Sequence, residues 1–167
     1  YFEPSGFLVP VMAGALLLAI LTNARIAALA SLLTATLLSV QYEQNWQILV
    51  VGGAMSFAGI SGLYVVRKRG DMANAAFRAT FFGMITLLAV MLKNETLINW
   101  TTLQVLLMVP LNGLACMLIV PGLLSPLERL FGITTDIQLL EYSDLNNDIL
   151  RRLAIEVPAT YAHSLML

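Results

Sequence analysis

Between Ser5 and Tyr42 the chain presents only Asn23 and Arg25 as strongly polar side chains, before Gln41 at the far end. As a single helix this run would be roughly 55 Å long, nearly twice the roughly 30 Å hydrocarbon core of a bilayer. It must therefore fold back, and Thr22-Asn23-Ala24-Arg25 is the only place polar enough to turn. The spacing predicts one helix over 6–21, with Pro10 tolerated near its start, and a second over 26–40. The rest of the chain repeats this pattern. Gln41–Trp46 is a polar loop carrying aromatic residues, as membrane interfaces prefer. Further apolar runs follow at 47–66, 72–92 and 101–124, the last interrupted by Pro110 and Pro121. The expected fold class is all-α: a polytopic transmembrane helix bundle of about five spans over 1–128, then short cytoplasmic helices over 129–167.

Composition supports the membrane assignment. Hydrophobic residues make up 59% of the chain and charged residues 11%, less than half the charge of an ordinary soluble domain. Mean hydropathy is +0.82. The net charge of -1 offers nothing to a polyanion, so no DNA or RNA partner is expected. The nine basic residues fix an orientation. If the segment after the fifth helix is cytoplasmic, all of them but Lys93 fall on or near the inner side, as the positive-inside rule requires. The lipid bilayer is the first partner, and the inner membrane of a bacterium the expected location. Tyr1 is preceded by no initiator methionine or leader pattern and reads as a cut inside a longer protein.

Within the spans, side-chain chemistry is sparse. Gly52, Ser56, Gly59 and Leu63 share a helix face, and Ala58 with Gly62 forms a second small-residue pair. Such faces allow close backbone approach, here read as packing within the chain rather than as a homodimer interface. All ten carboxylates lie outside the spans as drawn. That argues against an ion-coupled transporter, which needs ionisable groups at membrane depth. Asn74 and Arg78 sit one turn apart near the inner end of the fourth helix, where Arg78 would snorkel toward lipid phosphates. Asn112, near mid-membrane, is expected to bond a carbonyl freed by Pro110. Cys116 reads as a buried inert thiol, and the eight methionines as packing filler.

Beyond Phe131 the chain becomes polar and amphipathic. Asp136–Tyr142 reads as a short helix that Thr135 or Asp136 can cap, and Asn147 can cap another reaching about Glu156, where Ile149, Leu150, Leu153 and Ala154 form an apolar face. Pro158 ends it. His163 is the only histidine, and spacing alone makes a lone histidine a poor metal ligand. No paired carboxylates, phosphate loop or nucleophile triad accompany it.

The wording of this segment nevertheless resembles the entry to the hydrolase domain of the seven-transmembrane HD phosphohydrolases, a family of cyclic di-AMP phosphodiesterases. Thr135, Asp136, Leu139, Leu140 and Glu141 match a T-D-x-x-L-L-E run. Pro158, Thr160 and Tyr161 match part of a P-G-T-Y turn, and His163-Ser164-Leu165-Met166-Leu167 matches the first metal-binding histidine and its helix. Ala159, Ala162 and Asn147-Asp148 depart from the family pattern. The resemblance implies that His163 is one ligand of a divalent metal pair, manganese or iron, with the other ligands beyond Leu167. It also implies that the metals activate a water for attack on the phosphodiester, opening cyclic di-AMP to the linear dinucleotide. The 167 residues alone would then be inactive and bind metal weakly, serving as anchor and signal relay. The alternatives are a non-catalytic receptor or assembly module and, third, a transporter. A His-Asp doublet in the next thirty or so codons separates the enzyme from the module.

Overall fold

In the computed structural model, residues 4–43, 45–63, 69–93, 100–135, 137, 139 and 155–157 are described. They are helical throughout, with no strand among them. The chain divides into two compact units, Tyr1–Ile133 and Thr134–Leu167.

The first unit is the bundle. A 3₁₀ turn (Pro4–Leu8) leads into α1 (Val11–Leu21), followed by α2 (Ala24–Gln41), α3 (Trp46–Gly62), α4 (Arg69–Lys93) and α5 (Trp100–Phe131). Three helices are long and apolar enough to cross a membrane by themselves: Ala24–Gln41, Gly70–Lys93 and Trp100–Phe131. The apolar stretches Ser5–Leu21 and Trp46–Gly62 are shorter, at 17 residues or about 25 Å each. α3 packs on α1, α2 and α4, while α1 also reaches α5.

Local chemistry sets the turns. Asn23 caps α2 by accepting from the Arg25 backbone N–H at 2.6 Å, and Asn45 caps α3 by accepting from that of Gln47 at 3.1 Å. An Asn at this position satisfies an otherwise orphaned N–H, so α2 starts at Ala24, two residues before the apolar run suggested. Between them Glu43 takes a left-handed φ of 55°. α5 ends in a Schellman arrangement: Gly132 adopts φ +62° and Ile133 N–H donates to the Glu128 carbonyl at 3.1 Å.

Two expectations about proline are corrected. α5 runs unbroken through Pro110, Pro121 and Pro126 for 32 residues, about 48 Å, so the segment after Leu124 continues the helix instead of leaving it. Pro10 does break its helix, splitting the expected first span into the 3₁₀ turn and α1. Proline at a first helical turn is tolerated; here the residues before it are held by another element, as shown below.

Small side chains share the interior with large ones such as Met12, Leu16, Met72, Leu87 and Leu124. Ala27, Ala35, Ala76, Ala79 and Ser56 are fully buried, whereas Leu29 and Leu118 are 70% and 77% exposed. Phe77, Phe81, Leu107, Leu111 and Leu114 also face outward. Many large apolar residues on the outside, with small ones where helices meet, is the pattern of a bundle in lipid, where packing rather than apolar burial holds helices together. The small-residue face of α3 is occupied within the chain. A Cβ on Gly62 would lie 3.3 Å from the Ala75 Cα, and one on Gly59 would lie 3.2 Å from Leu16 and 3.5 Å from Ala79. Between α4 and α5, a Cβ on Gly113 would overlap the β-branched side chain of Thr80, whose hydroxyl donates to the Ala76 carbonyl at 2.8 Å. Gly113→Ala is accordingly expected to destabilise the bundle by about 1–2 kcal/mol, and Thr80→Ala in the same chain to restore most of it. Gly122 meets nothing within 4 Å, so Gly122→Ala, which gains helix propensity without a clash, serves as the control that is not destabilised. Equilibrium unfolding in detergent reads all four proteins.

In the second unit the Thr135 carbonyl accepts from Leu139 N–H at 3.0 Å, the first bond of a helical turn. Ile155, Glu156 and Val157 are exposed. The expected helix over Asn147–Glu156 lies otherwise outside the described residues, as does the turn at Pro158.

Candidate functional site

The most developed polar arrangement in the bundle centres on Asn112. This side chain is 5% exposed and sits midway along α5. Its Nδ2 donates to the Phe7 carbonyl at 2.8 Å and to the Val9 carbonyl at 2.9 Å. Its Oδ1 accepts from Cys116 Sγ, one turn on, at 3.3 Å. Both acceptors lie in the three residues before Pro10. That region has left the helical ladder: Val11 N–H turns back to Val9 at 2.8 Å and Ala13 N–H bonds Pro10 at 3.0 Å. The amide of α5 thus substitutes for ladder donors at the break. Asn112 was expected to serve the carbonyls freed by Pro110 in its own helix; it serves those beside Pro10, over a hundred residues away. The signal in the sequence was a proline five residues into an apolar run, with a second polar residue at comparable depth elsewhere.

A small cleft of about 20 Å³, about enough for one water, adjoins this arrangement. It is bounded by Gly6, Phe7, Val9, Ile48, Val51 and Asn112, among others. Gly6 lets the turn pack closely there: a Cβ would displace the Ile48 Cδ1 methyl and press on the Tyr42 ring at 3.2 Å. The arrangement holds no group able to donate and retrieve protons near neutral pH, and Cys116 is fully buried. Its chemistry is positional: it fixes the 3₁₀ turn against α5.

At the same end, Lys93 Nζ lies 4.9 Å from the centroid of the Trp46 ring, a cation–π contact that ties α4 to α3 at the boundary. Sequence reasoning placed both residues at that surface without pairing them. Asn74 and Arg78 are exposed on α4, toward the other end.

His163, the residue assigned by resemblance to a metal, lies outside the described residues. Among the described residues no three His, Cys, Asp or Glu side chains come together to hold a metal ion. The described part of this chain does not by itself make a metal centre.

Comparison with known proteins then decides the family. Residues 1–135 match the model of the 7TM receptor with intracellular HD hydrolase. The chain belongs to that family. Cyclic-di-AMP phosphodiesterase PgpH of Bacillus subtilis is 33% identical over 171 aligned residues, covering 96% of this chain and 24% of the relative. The protein of the same name from Listeria monocytogenes is 27% identical, covering 96% of this chain and 23% of the relative. An uncharacterized protein of Synechocystis is 32% identical over 127 residues, or 72% of this chain. The chain thus spans about a quarter of the length of the two phosphodiesterases it matches. No solved structure matches it significantly. The five described helices and the polar node at Asn112 lie within the residues that match the family model.

Proposed function

We propose that this chain is the membrane-anchoring and signal-relay portion of a metal-dependent HD phosphodiesterase that opens cyclic di-AMP to the linear dinucleotide. The observation that carries the proposal is the match to two cyclic-di-AMP phosphodiesterases over 96% of this chain, joined to a family defined by an intracellular HD hydrolase. His163 would supply one ligand to a manganese or iron pair, with the others coming from residues after Leu167. The orientation that suits this role puts Arg25, Arg67, Lys68 and Arg69 at the inner face of a bacterial inner membrane, Lys93 at the outer face and α5 delivering the chain to the cytoplasm.

The unbroken α5 supports a relay. Its 32 residues exceed the bilayer core by about 18 Å, so one continuous helix carries both the Asn112 contacts and the segment after Leu124. The test is direct. Full-length protein in vesicles is expected to convert cyclic di-AMP to the linear dinucleotide and to lose that activity with a chelator. Residues 1–167 alone are expected to convert none. A full-length protein that is folded, metal-loaded and inert toward cyclic di-AMP would refute the reading, and would leave a non-catalytic receptor in its place.

A further inference from the structure

We infer that Asn74 and Arg78 form a binding site for the phosphate of a membrane phospholipid on the outer face of α4. Charged side chains at membrane depth ordinarily turn toward the bundle interior or a water-filled cavity, but Arg78 is exposed. It is flanked on that surface by Phe77 and Phe81, 63% and 59% exposed. Its depth follows from the opposite end of the helix. Lys93 rests on Trp46, and a lysine on a tryptophan at a helix end belongs at the membrane–water interface, which sets one boundary of the hydrocarbon. Fifteen residues separate Lys93 from Arg78, a rise of about 22 Å against a core of about 30 Å. The Arg78 backbone is therefore about 8 Å short of the other boundary.

Helix geometry favours closing that gap. Every Cα–Cβ bond tilts toward the helix N-terminus, and the N-terminus of α4 is at the nearer boundary. The long arginine side chain then rises along the helix toward the headgroups. Asn74, also exposed, is one turn along that path and can add a hydrogen bond. Asp71, another turn on, has an interaction of its own. A guanidinium presents paired N–H donors that fit a phosphate in a way an ammonium does not. The two exposed phenylalanines would seat the acyl chains beside it. The site requires only that α4 cross the bilayer; it stands or falls independently of the hydrolytic reading and of orientation.

Full-length protein in vesicles of phosphatidylglycerol and phosphatidylcholine, extracted gently and weighed by native mass spectrometry, tests it. The unaltered protein should retain phosphatidylglycerol. Arg78→Gln should retain about fivefold less, the factor one basic charge at an anionic surface confers. Arg78→Lys and Asn74→Ala should fall between. Equal retention in all four would overturn the proposal. The occupant is checked separately with a fluorophore on Phe81→Cys in a background from which the other accessible cysteines have been removed; Cys116 is buried. Quenching by brominated lipid is expected, whereas a fluorophore shielded from lipid would show that protein covers this face and would also overturn the assignment.

Discussion

Replacing His163 with alanine in the full-length protein is expected to lower cyclic di-AMP hydrolysis by more than about 100-fold. The magnitude follows from the position proposed for it. Losing a partner that only orients a metal ligand costs about 10–100-fold in affinity or activity, so losing a ligand itself should cost at least the upper end. Three readouts separate this from misfolding. Bound metal, counted by elemental analysis, should fall with activity. The unfolding transition of the membrane bundle should stay put, because residues 1–133 form a compact unit of their own. Ala162→His, at one of the positions that depart from the family pattern, should leave metal content unchanged. Were His163→Ala to keep full metal content and full activity, the local pattern His163-Ser164-Leu165-Met166-Leu167 would have been matched to the wrong role.

Much of the membrane bundle could be read from residue order because its determinants are local. A run such as Ser5–Tyr42 cannot stay straight within a bilayer, and an asparagine beside its one polar gap supplies the cap that turns it. Small residues spaced along α3 mark where backbones approach, and Gly59 and Gly62 do meet neighbouring helices within the chain. The prolines resisted the same treatment. Whether a proline breaks a helix depends on what satisfies the carbonyls around it, and in a membrane that partner can come from any helix. Pro110, Pro121 and Pro126 sit inside a continuous α5, while Pro10 ends a 3₁₀ turn. Nothing near Pro10 in sequence says so, since the group that holds the broken end is on the last helix. The hydrolytic site was legible only through resemblance. One histidine carries no geometry, and spacing alone gives it no partner ligand.

That long-range dependence makes Asn112 the residue whose loss the bundle should feel most. Asn112→Leu keeps the volume but removes both donors to the Phe7 and Val9 carbonyls, and it is expected to destabilise the folded state by about 2 kcal/mol. Hydrogen bonds between membrane helices average about 0.6 kcal/mol and reach about 1.7, because the unfolded chain in lipid also finds partners. Two such bonds to backbone beside a proline break belong near the upper end, since Pro10 has no N–H to offer in exchange. Asn112→Asp should be worse than leucine when ionised: it turns a carboxylate, which can only accept, toward two carbonyl oxygens in a buried site. Asn112→Gln should fall between leucine and the native residue, keeping the donors on a longer arm that the cleft beside Gly6 partly accommodates. Unfolding in detergent gives the ranking, and hydrogen exchange gives the location. If Asn112 is the clamp, amides of Phe7 to Val11 should exchange faster in Asn112→Leu while those of α3 change little. If protection is lost uniformly, or if leucine matches asparagine in stability, the broken first helix is held by packing alone and the polar node does not set its position.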